Sequence, residues 1–177
     1  MSLLRITEIF YSLQGESNTV GLPTVFIRLT GCPLRCVYCD TAYAFVGGNK
    51  VEIADIIAQV QQYSTPYVTV TGGEPLAQPN CLDLITQLLD KGFTVSLETS
   101  GAIDISAVDS RTVKVMDLKT PSSGELSKNL YENIQYLDTK DQVKFVIGSH
   151  DDYEWSKKIV NDYGLSCLLY TSPSPRD

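Results

Sequence analysis

Short runs rich in β-branched residues alternate along this chain with stretches whose apolar positions recur at helical spacing. Residues 25–29 and 67–71 are typical of strands. A helix is predicted over residues 51–63, because apolar side chains recur there at i, i+3, i+4 and i+7, namely at Ile53, Ile56, Ile57 and Val60. The first half of the chain therefore predicts a strand, a helix and a second strand.

The same alternation continues in the second half. A second helix is predicted to end at Gly92, and its apolar face consists of Leu82, Ile85, Leu88 and Leu89. A third is predicted over 151–164, with acids at its start and a glycine at its end. Further strands are predicted over 93–98, 113–118, 143–147 and 167–170. Strands separated by helices of this length predict right-handed βαβ units and a parallel sheet.

Four of the segments that follow predicted strands are polar, rich in glycine, or both. They are GCPLRCVYCDT (31–41), TGGEP (71–75), ETSG (98–101) and DLKTPSSG (117–124). In parallel sheets, ligands bind at the carboxyl ends of the strands. We therefore expect these four segments to share one site.

The first of these segments carries three cysteines within eight positions, Cys32, Cys36 and Cys39. A structural zinc site needs four ligands and usually takes them as two pairs. Three thiolates can instead hold three corners of a 4Fe–4S cubane and leave the fourth iron open for chemistry. The alternatives are a zinc site completed by Cys81, Cys167 or His150, or clustered thiols without a metal. Spacing alone favours the cluster.

The remaining cysteines and the single histidine have simpler interpretations. Cys81 and Cys167 are predicted to be core residues, because a free cysteine packs as a small hydrophobe. His150 lies in the polar run SHDDYEW and is predicted to be a surface residue at a helix start. One histidine without an evident partner argues against a Ser–His–Asp hydrolase.

Two charged residues stand out at the strand ends. Glu74 follows a double glycine that would let a ligand approach the backbone, and its carboxylate could accept hydrogen bonds from a cationic amine. The alternative is an ordinary strand-to-helix turn with Pro75 near the helix start. Arg28 interrupts the apolar strand VFIRL, where a charge needs a partner or an outward-facing position.

Composition limits the class of protein. The 177 residues are 43% apolar and 20% charged, which suits one globular domain. The net charge of −7 and the scattered Lys and Arg argue against a nucleic-acid partner and favour a small molecule. No apolar run suits a membrane span or a secretory signal, so we expect a cytoplasmic protein. Five cysteines there favour metal binding or catalysis over disulfides.

The cysteine loop and the GGE strand end together resemble the radical S-adenosylmethionine (SAM) superfamily. FYSLQGES, FIRLTGCPLRCVYCDT, VTVTGGEPL, LETSG and DLKTPSSGE are similar to the motifs of its 7-carboxy-7-deazaguanine synthase family, in the same order over residues 5–150. The resemblance implies an α/β fold, an incomplete (β/α) barrel with a parallel sheet and a strand-end active site. It implies a single radical SAM domain over residues 1–170.

The resemblance also implies a reaction. Members of this family convert 6-carboxy-5,6,7,8-tetrahydropterin to 7-carboxy-7-deazaguanine with loss of ammonia, on the route to queuosine and other deazapurines. The implied cofactors are a 4Fe–4S cluster, SAM and Mg²⁺. The reduced cluster cleaves SAM to a 5′-deoxyadenosyl radical, which takes a hydrogen atom from the pterin and later returns to SAM. The implied partners are a one-electron reductant such as flavodoxin and a second copy of the chain in a homodimer.

Site residues follow from the resemblance position by position. The cluster ligands would be Cys32, Cys36 and Cys39, and Thr41 would contact Mg²⁺. The residues implied to border SAM are Tyr38, Cys39, Asp40, Gly73, Glu74, Asp117, Leu118 and Lys119. Those implied to bind substrate are Leu13, Gln14, Gly15, Glu16, Arg28 and Thr71, with the Arg28 guanidinium matched to the substrate carboxylate. Neighbouring residues 98–100 are expected to line the same cavity without an assigned role.

Residues 171–177 depart from the family pattern, in which the chain continues well past a strand ending near Ser-Pro. Two of the last five residues here are prolines, which cannot continue a central strand. We interpret this tail as a truncation or as foreign sequence.

Two other functions stay open from the residues alone: an activase of glycyl-radical enzymes, and a zinc or iron–sulfur module without catalysis.

Overall fold

Within residues 2–173, which the computed structural model describes, eight strands form one sheet. In chain order they are β1 (Leu3–Leu13), β2 (Pro23–Leu29), β3 (Asn49–Glu52), β4 (Tyr67–Gly72), β5 (Thr94–Thr99), β6 (Val113–Asp117), β7 (Gln142–Ile147) and β8 (Leu169–Pro173). Their order across the sheet is β3-β1-β2-β4-β5-β6-β7-β8. Neighbouring strands in the series β2, β4, β5, β6, β7 and β8 pair in parallel, and β1 pairs antiparallel with both β2 and β3.

The sheet is not closed, because β3 and β8 form its two edges. The predicted α/β fold with an incomplete barrel is therefore confirmed. The boundary predicted between residues 170 and 171 lies inside β8, an edge strand, where Pro173 is tolerated. Residues 174–177 lie outside the described range, so the interpretation of the tail stays a prediction.

Three α-helices lie between residues 2 and 173, α1 (Ile53–Val60), α2 (Cys81–Asp90) and α3 (His150–Tyr163). Short 3₁₀ turns cover Ala42–Phe45, Pro75–Ala77, Pro121–Ser123, Leu126–Lys128 and Tyr131–Tyr136. None of the helices in this range is long and apolar enough to span a bilayer.

The helix ends follow the local sequence. The side chain of Ser149 caps α3 by accepting a hydrogen bond from the Asp152 amide at 3.1 Å, and acidic residues occupy its first turn. Gly164 ends α3 in a left-handed conformation that glycine adopts at little cost. Helix α1 is shorter than the predicted 51–63 at both ends, because residues 51 and 52 belong to β3 and residues 61–63 form a turn and a bend.

The sheet has an apolar face and a polar face. Alternate residues of the parallel strands, among them Ile27, Val70, Leu97 and Phe145, are buried in the core beneath the helices. The residues between them point to the concave face, which is the inside of the incomplete barrel. This face carries Arg28, Thr71, Glu98, Asp117 and Lys144. The alternation of the pleat thus separates the packed core from a polar interior.

Two connections differ from the predicted βαβ pattern. Residues 100–112 join β5 to β6, and residues 118–141 join β6 to β7, both without an α-helix. Asn133 orders these segments, because its side chain bonds the backbone of Gly101, Ile103 and Ile105. Proline, glycine and serine in these connections favour turns over a continuous helix.

The two cysteines outside the loop differ in burial. Cys81 is buried at the start of α2, as predicted, and burial raises the pKa of its thiol. Cys167 is exposed, so its predicted core position is wrong. Its segment is a surface turn before β8. His150 is the exposed first residue of α3, as predicted.

A buried ion pair fixes the start of β7 beside β6. Asp141 accepts a hydrogen bond from the backbone amide of Lys114 and forms an ion pair with its ammonium group, both at 2.8 Å. Both side chains are buried, at 4% and 0% exposure. This contact sets the position of β7 and hence of Lys144 on the concave face.

We predict that Asp141→Ala lowers the free energy of unfolding by about 3–5 kcal/mol, because it leaves the Lys114 ammonium buried without its carboxylate. Urea denaturation measures this loss. As a control, Glu154→Ala breaks the exposed pair with Lys157 and should cost less than about 1 kcal/mol. Equal, small losses in the two variants would show that the buried pair does not hold β7.

Candidate active site

A cavity of about 580 Å³ opens at the carboxyl ends of the parallel strands. All four polar strand-end segments contribute to its wall, through Cys32, Cys36, Cys39, Thr71, Gly73, Glu98, Thr99, Ser100, Asp117 and Lys119. The segments therefore meet at one place, as the parallel sheet requires.

The three loop cysteines line this cavity as free, half-buried thiols. Burial raises the pKa of Cys32 and Cys36, and the nearby Lys119 ammonium acts in the opposite direction. The loop is held from the far side of the barrel, because the amide of Val37 donates to the carbonyl of Ser123 at 2.9 Å. The thiols thus occupy a fixed wall beside a positive charge that favours thiolates.

The double glycine allows a close approach that was not predicted, between two parts of the backbone. The amide of Gly73 donates to the carbonyl of Leu29, and that of Glu74 donates to the carbonyl of Gly31 at 2.8 Å. A Cβ on Gly73 would lie 2.7 Å from the Cβ of Cys32 and closer still to the Gly31 carbonyl oxygen. The close approach is therefore between the end of β4 and the cysteine loop, while Gly73 also lines the cavity.

Glu74 does not line the cavity, contrary to its predicted position beside SAM. Its side chain is fully buried, and the carboxylate accepts hydrogen bonds from the Leu76 amide, the Thr99 hydroxyl and both the amide and hydroxyl of Ser100. A buried carboxylate needs this full set of donors. Glu74 therefore ties the end of β4 to the end of β5. The same bonds give Thr99 and Ser100 a structural role.

The end of β6 presents one ion pair to the cavity. Lys119 donates to Asp117 Oδ2 at 2.8 Å. Burial by itself lowers the pKa of Lys119, but attraction to Asp117 and Cys36 outweighs it, so the pKa is raised. Asp117 Oδ1 is buried and has no partner within residues 2–173, so it can accept a hydrogen bond from a bound ligand. Leu118 lies in the core instead, so its side chain does not face the cavity.

Arg28 lines the cavity and has the partner that its burial requires. Its Nε donates to Glu8 Oε1 at 2.7 Å, and the hydroxyl of Tyr43 donates to the same oxygen at 2.8 Å. Burial raises the pKa of Glu8, but these two hydrogen bonds outweigh it and hold the pKa below its usual value. Because Glu8 takes only Nε, the terminal nitrogens of Arg28 can still donate to a bound carboxylate. Sequence reasoning missed Glu8.

Of the four residues at the end of β1 and just after it that were predicted to bind substrate, three line the cavity. Gln14, Gly15 and Glu16 line the cavity, whereas the side chain of Leu13 is 63% exposed at the end of β1 and lies outside it. Glu16 reaches across the barrel, and its carboxylate contacts Lys144 Nζ at 2.7 Å.

Lys144 and Glu98 form the charged centre of the cavity. Glu98 was expected to line it without an assigned role, and Lys144 was not predicted. Lys144 Nζ lies 3.8 Å from Glu98. Burial raises the pKa of Glu98 to about 7 despite the attraction of Lys144. Burial lowers the pKa of Lys144, but the surrounding carboxylates outweigh it, so the pKa is raised. Lys144 interrupts the apolar run VKFVI as Arg28 interrupts VFIRL, and this signal could have found it.

Oxygen donors follow the last cysteine. Asp40 and Thr41 line the cavity, and the Thr41 hydroxyl donates to Asp40 Oδ1 at 2.7 Å. Adjacent carboxylate and hydroxyl oxygens are the kind of donor that Mg²⁺ takes while keeping several waters. Tyr38 lines the cavity between two of the cysteines.

The donor set fits a cluster better than a single zinc ion. Among residues 2–173, no three side chains of His, Cys, Asp or Glu stand close enough to enclose one metal ion. A cubane offers a separate iron to each cysteine, so its ligands need not converge on one point. None of the proposed fourth zinc ligands lines the cavity, since Cys81 is buried in α2 and both Cys167 and His150 are exposed.

We predict that Gly73→Ala reduces the iron and sulfide bound after anaerobic reconstitution, because the new Cβ displaces Cys32 from the cavity wall. Iron and sulfide assays, with circular dichroism to confirm folding, measure the effect. Gly15→Ala is the matched control, since a Cβ at Gly15 meets nothing within 4 Å. Full iron loading of a folded Gly73→Ala protein would show that the close approach does not position the loop.

This chain is similar to known proteins. The Radical SAM superfamily model matches residues 26–163. The 7-carboxy-7-deazaguanine synthase of Koribacter versatilis is 42% identical over 92% of this chain and 73% of its own length. That of Chlorobaculum tepidum is 40% identical over 96% of this chain and 80% of its own length. A crystal structure of QueE from Escherichia coli shares the fold, with a TM-score of 0.82 and 24% identity over 98% of this chain and 85% of that one.

The superfamily model covers more than half of the chain, and the two synthases exceed 30% identity over more than two thirds of their own lengths. The expected order of motifs and the cavity at the strand ends agree with this match. The chain is a radical SAM enzyme, and it belongs to the 7-carboxy-7-deazaguanine synthase family.

Proposed function

We propose that this enzyme converts 6-carboxy-5,6,7,8-tetrahydropterin to 7-carboxy-7-deazaguanine with release of ammonia, as a carbon–nitrogen lyase in deazapurine biosynthesis. One observation carries the proposal: a single cavity is lined both by the three free thiols of the cysteine loop and by Arg28, whose guanidinium is paired with Glu8. A cluster site and an anion site at one strand edge are what a radical enzyme with a carboxylate substrate requires.

Cys32, Cys36 and Cys39 would hold the 4Fe–4S cluster, whose open iron takes SAM. When bound, the reduced cluster and SAM supply the radical that removes a hydrogen atom from the substrate. The groups that we expect to border SAM are those that line the cavity near the thiols, namely Tyr38, Asp40, Gly73, Asp117 and Lys119. Asp117 Oδ1 is the acceptor best placed for a hydroxyl or ammonium of SAM, because it is buried without a partner within residues 2–173.

The residues proposed to bind the pterin occupy the rest of the cavity. The terminal nitrogens of Arg28 would bind its carboxylate bidentately, and Thr71, Gln14 and Glu16 would contact its polar edge. Glu98, with a pKa of about 7, holds a proton in part of the molecules at neutral pH. It can therefore exchange a proton with the ring nitrogens of a bound pterin.

Further partners are proposed on family membership. Thr41, with Asp40, would contact Mg²⁺ through its hydroxyl oxygen. A one-electron reductant such as flavodoxin would deliver electrons at the cysteine loop. Val37, between two of the cysteines, is 72% exposed, so the loop reaches the surface there. The proposed assembly is a homodimer.

The test is anaerobic turnover followed by mass spectrometry. The reconstituted chain is incubated with a reductant, SAM, Mg²⁺ and 6-carboxytetrahydropterin. We expect 7-carboxy-7-deazaguanine and one ammonia for each substrate consumed. Formation of 5′-deoxyadenosine alone would leave the radical machinery intact and refute the substrate. The absence of both products from cluster-loaded protein would refute the proposed function.

We predict that Arg28→Lys raises the KM for the pterin roughly ten- to hundred-fold, since an ammonium cannot replace a bidentate, charge-assisted contact. Steady-state kinetics measure this change, and iron and sulfide content should equal that of the unsubstituted enzyme. Arg111→Lys makes the same exchange at a half-exposed surface pair and serves as the control. An unchanged KM and kcat in Arg28→Lys would remove Arg28 from the substrate site.

A further inference from the structure

The amide of Gln14 has a defined orientation. The side chain is only 5% exposed although it lines the active cavity. Its Oε1 accepts a hydrogen bond from the backbone amide of Glu16 at 3.3 Å. A backbone N–H can only donate, so this contact identifies the oxygen and places the amide nitrogen at the opposite side. That nitrogen donates to the hydroxyl of Thr69 at 3.1 Å.

Thr69 completes a hydrogen-bonded column beneath Gln14. Its hydroxyl is buried, with the residue 1% exposed, and it lies 2.8 Å from the hydroxyl of Ser96 on the adjacent strand. Because Thr69 accepts from Gln14, its own proton is free to be donated to Ser96. The column Gln14–Thr69–Ser96 therefore runs from the loop after β1, through β4, to β5.

The backbone of Gln14 is fixed as well. Its amide donates to the carbonyl of Leu22 at 2.9 Å, and its carbonyl accepts from the amide of Gly21 at 2.7 Å. These bonds tie residue 14 to the other arm of its own connection, not to the barrel. Among the described contacts of Gln14, the bond to Thr69 is the one that joins it to the parallel sheet.

We propose that Thr69 is a positioning residue for the substrate, which acts by holding the Gln14 amide and hence the cavity-lining segment 14–16 in register with the parallel sheet. The inference rests on the proposed role of that segment in pterin binding. Thr69 lies two residues before Thr71 on β4, so the two side chains share one face of the sheet. Thr71 faces the pterin in the proposed function. Without the Thr69 oxygen, the Gln14 nitrogen would be buried without an acceptor, and the segment would shift to satisfy it.

A second cavity makes the test practicable. A space of about 220 Å³ lies below the column and is lined by Thr69, Ser96 and Gln142 among others. Room beside Thr69 means that a valine of nearly the same shape fits the strand without overpacking. Thr69→Val should therefore fold, and it removes the acceptor of the Gln14 amide together with the proton donated to Ser96, a second loss for which Ser96→Ala controls.

The experiment measures pterin binding without turnover and then catalysis. Cluster-loaded protein with SAM and no reductant is titrated anaerobically with 6-carboxytetrahydropterin by calorimetry. We expect Thr69→Val to raise the Kd roughly five- to hundred-fold, the range for a buried amide that loses its acceptor. KM should rise more than kcat falls, and iron content should not change. Thr69→Ser keeps the oxygen and should restore the Kd to within about two-fold.

Two further variants complete the design. Ser96→Ala removes the proton acceptor of Thr69 and should raise the Kd less than Thr69→Val does. Thr112→Val removes another buried hydroxyl, which lines neither cavity and has no partner within residues 2–173, and should bind pterin normally. Normal binding by Thr69→Val, or binding by Thr69→Ser as weak as that of Thr69→Val, would overturn the inference.

Arg28→Lys separates this inference from the proposed function. Weak pterin binding in Arg28→Lys with normal binding in Thr69→Val would refute the positioning role alone. If the unsubstituted enzyme itself fails to bind the pterin, the proposed substrate is wrong and the inference falls with it.

Discussion

The contact between the backbone of Gly72–Gly73 and the end of β2 is the constraint on which the active cavity depends. Two amides from the β4 end donate to carbonyls at and just beyond the end of β2, and no side chain fits between them. This contact places Cys32 on the cavity wall. It also directs Glu74 into the interior, where its carboxylate is bonded by Thr99 and Ser100. The ends of three neighbouring strands are thus fixed by one close approach and one buried carboxylate.

The second organising feature is the polar interior of the incomplete barrel. Barrel interiors are commonly filled by branched apolar side chains. Here the cations on the concave face each have a carboxylate partner, since Arg28 pairs with Glu8, Lys119 with Asp117 and Lys144 with Glu16. Pairing allows these charges to remain on the wall of the cavity although their side chains are largely removed from water, at 16%, 10% and 13% exposure for Arg28, Lys119 and Lys144. A ligand that enters must compete with, or extend, networks that are already neutralised.

The sequence identified the parallel sheet and the four segments that form the cavity, because strand periodicity and strand-end position are local signals. It did not predict β1, because the alternation of apolar and polar residues along that strand is broken. The register of β1 against β2 shifts between Ile6 and Glu8, so an extra residue changes which face the side chains occupy. That shift places Glu8 opposite Arg28. The burial of the Glu74 and Leu118 side chains away from the cavity also could not be predicted, since it depends on contacts between strands that are distant in sequence.

The bond between Glu16 and Lys144 closes a loop of chain that spans most of the molecule, with 128 positions between its two ends. The bond from the Arg35 amide to Glu125 closes another, over 90 positions. Loop-closure entropy rises slowly with length, so these contacts cost little more than shorter ones once the sheet is formed. They nevertheless require strands on both sides of the sheet to be in place, β1 and β2 on one side and β6 and β7 on the other. The walls of the cavity are therefore a property of the assembled chain, and no fragment that lacks either β1 or β7 can contain them.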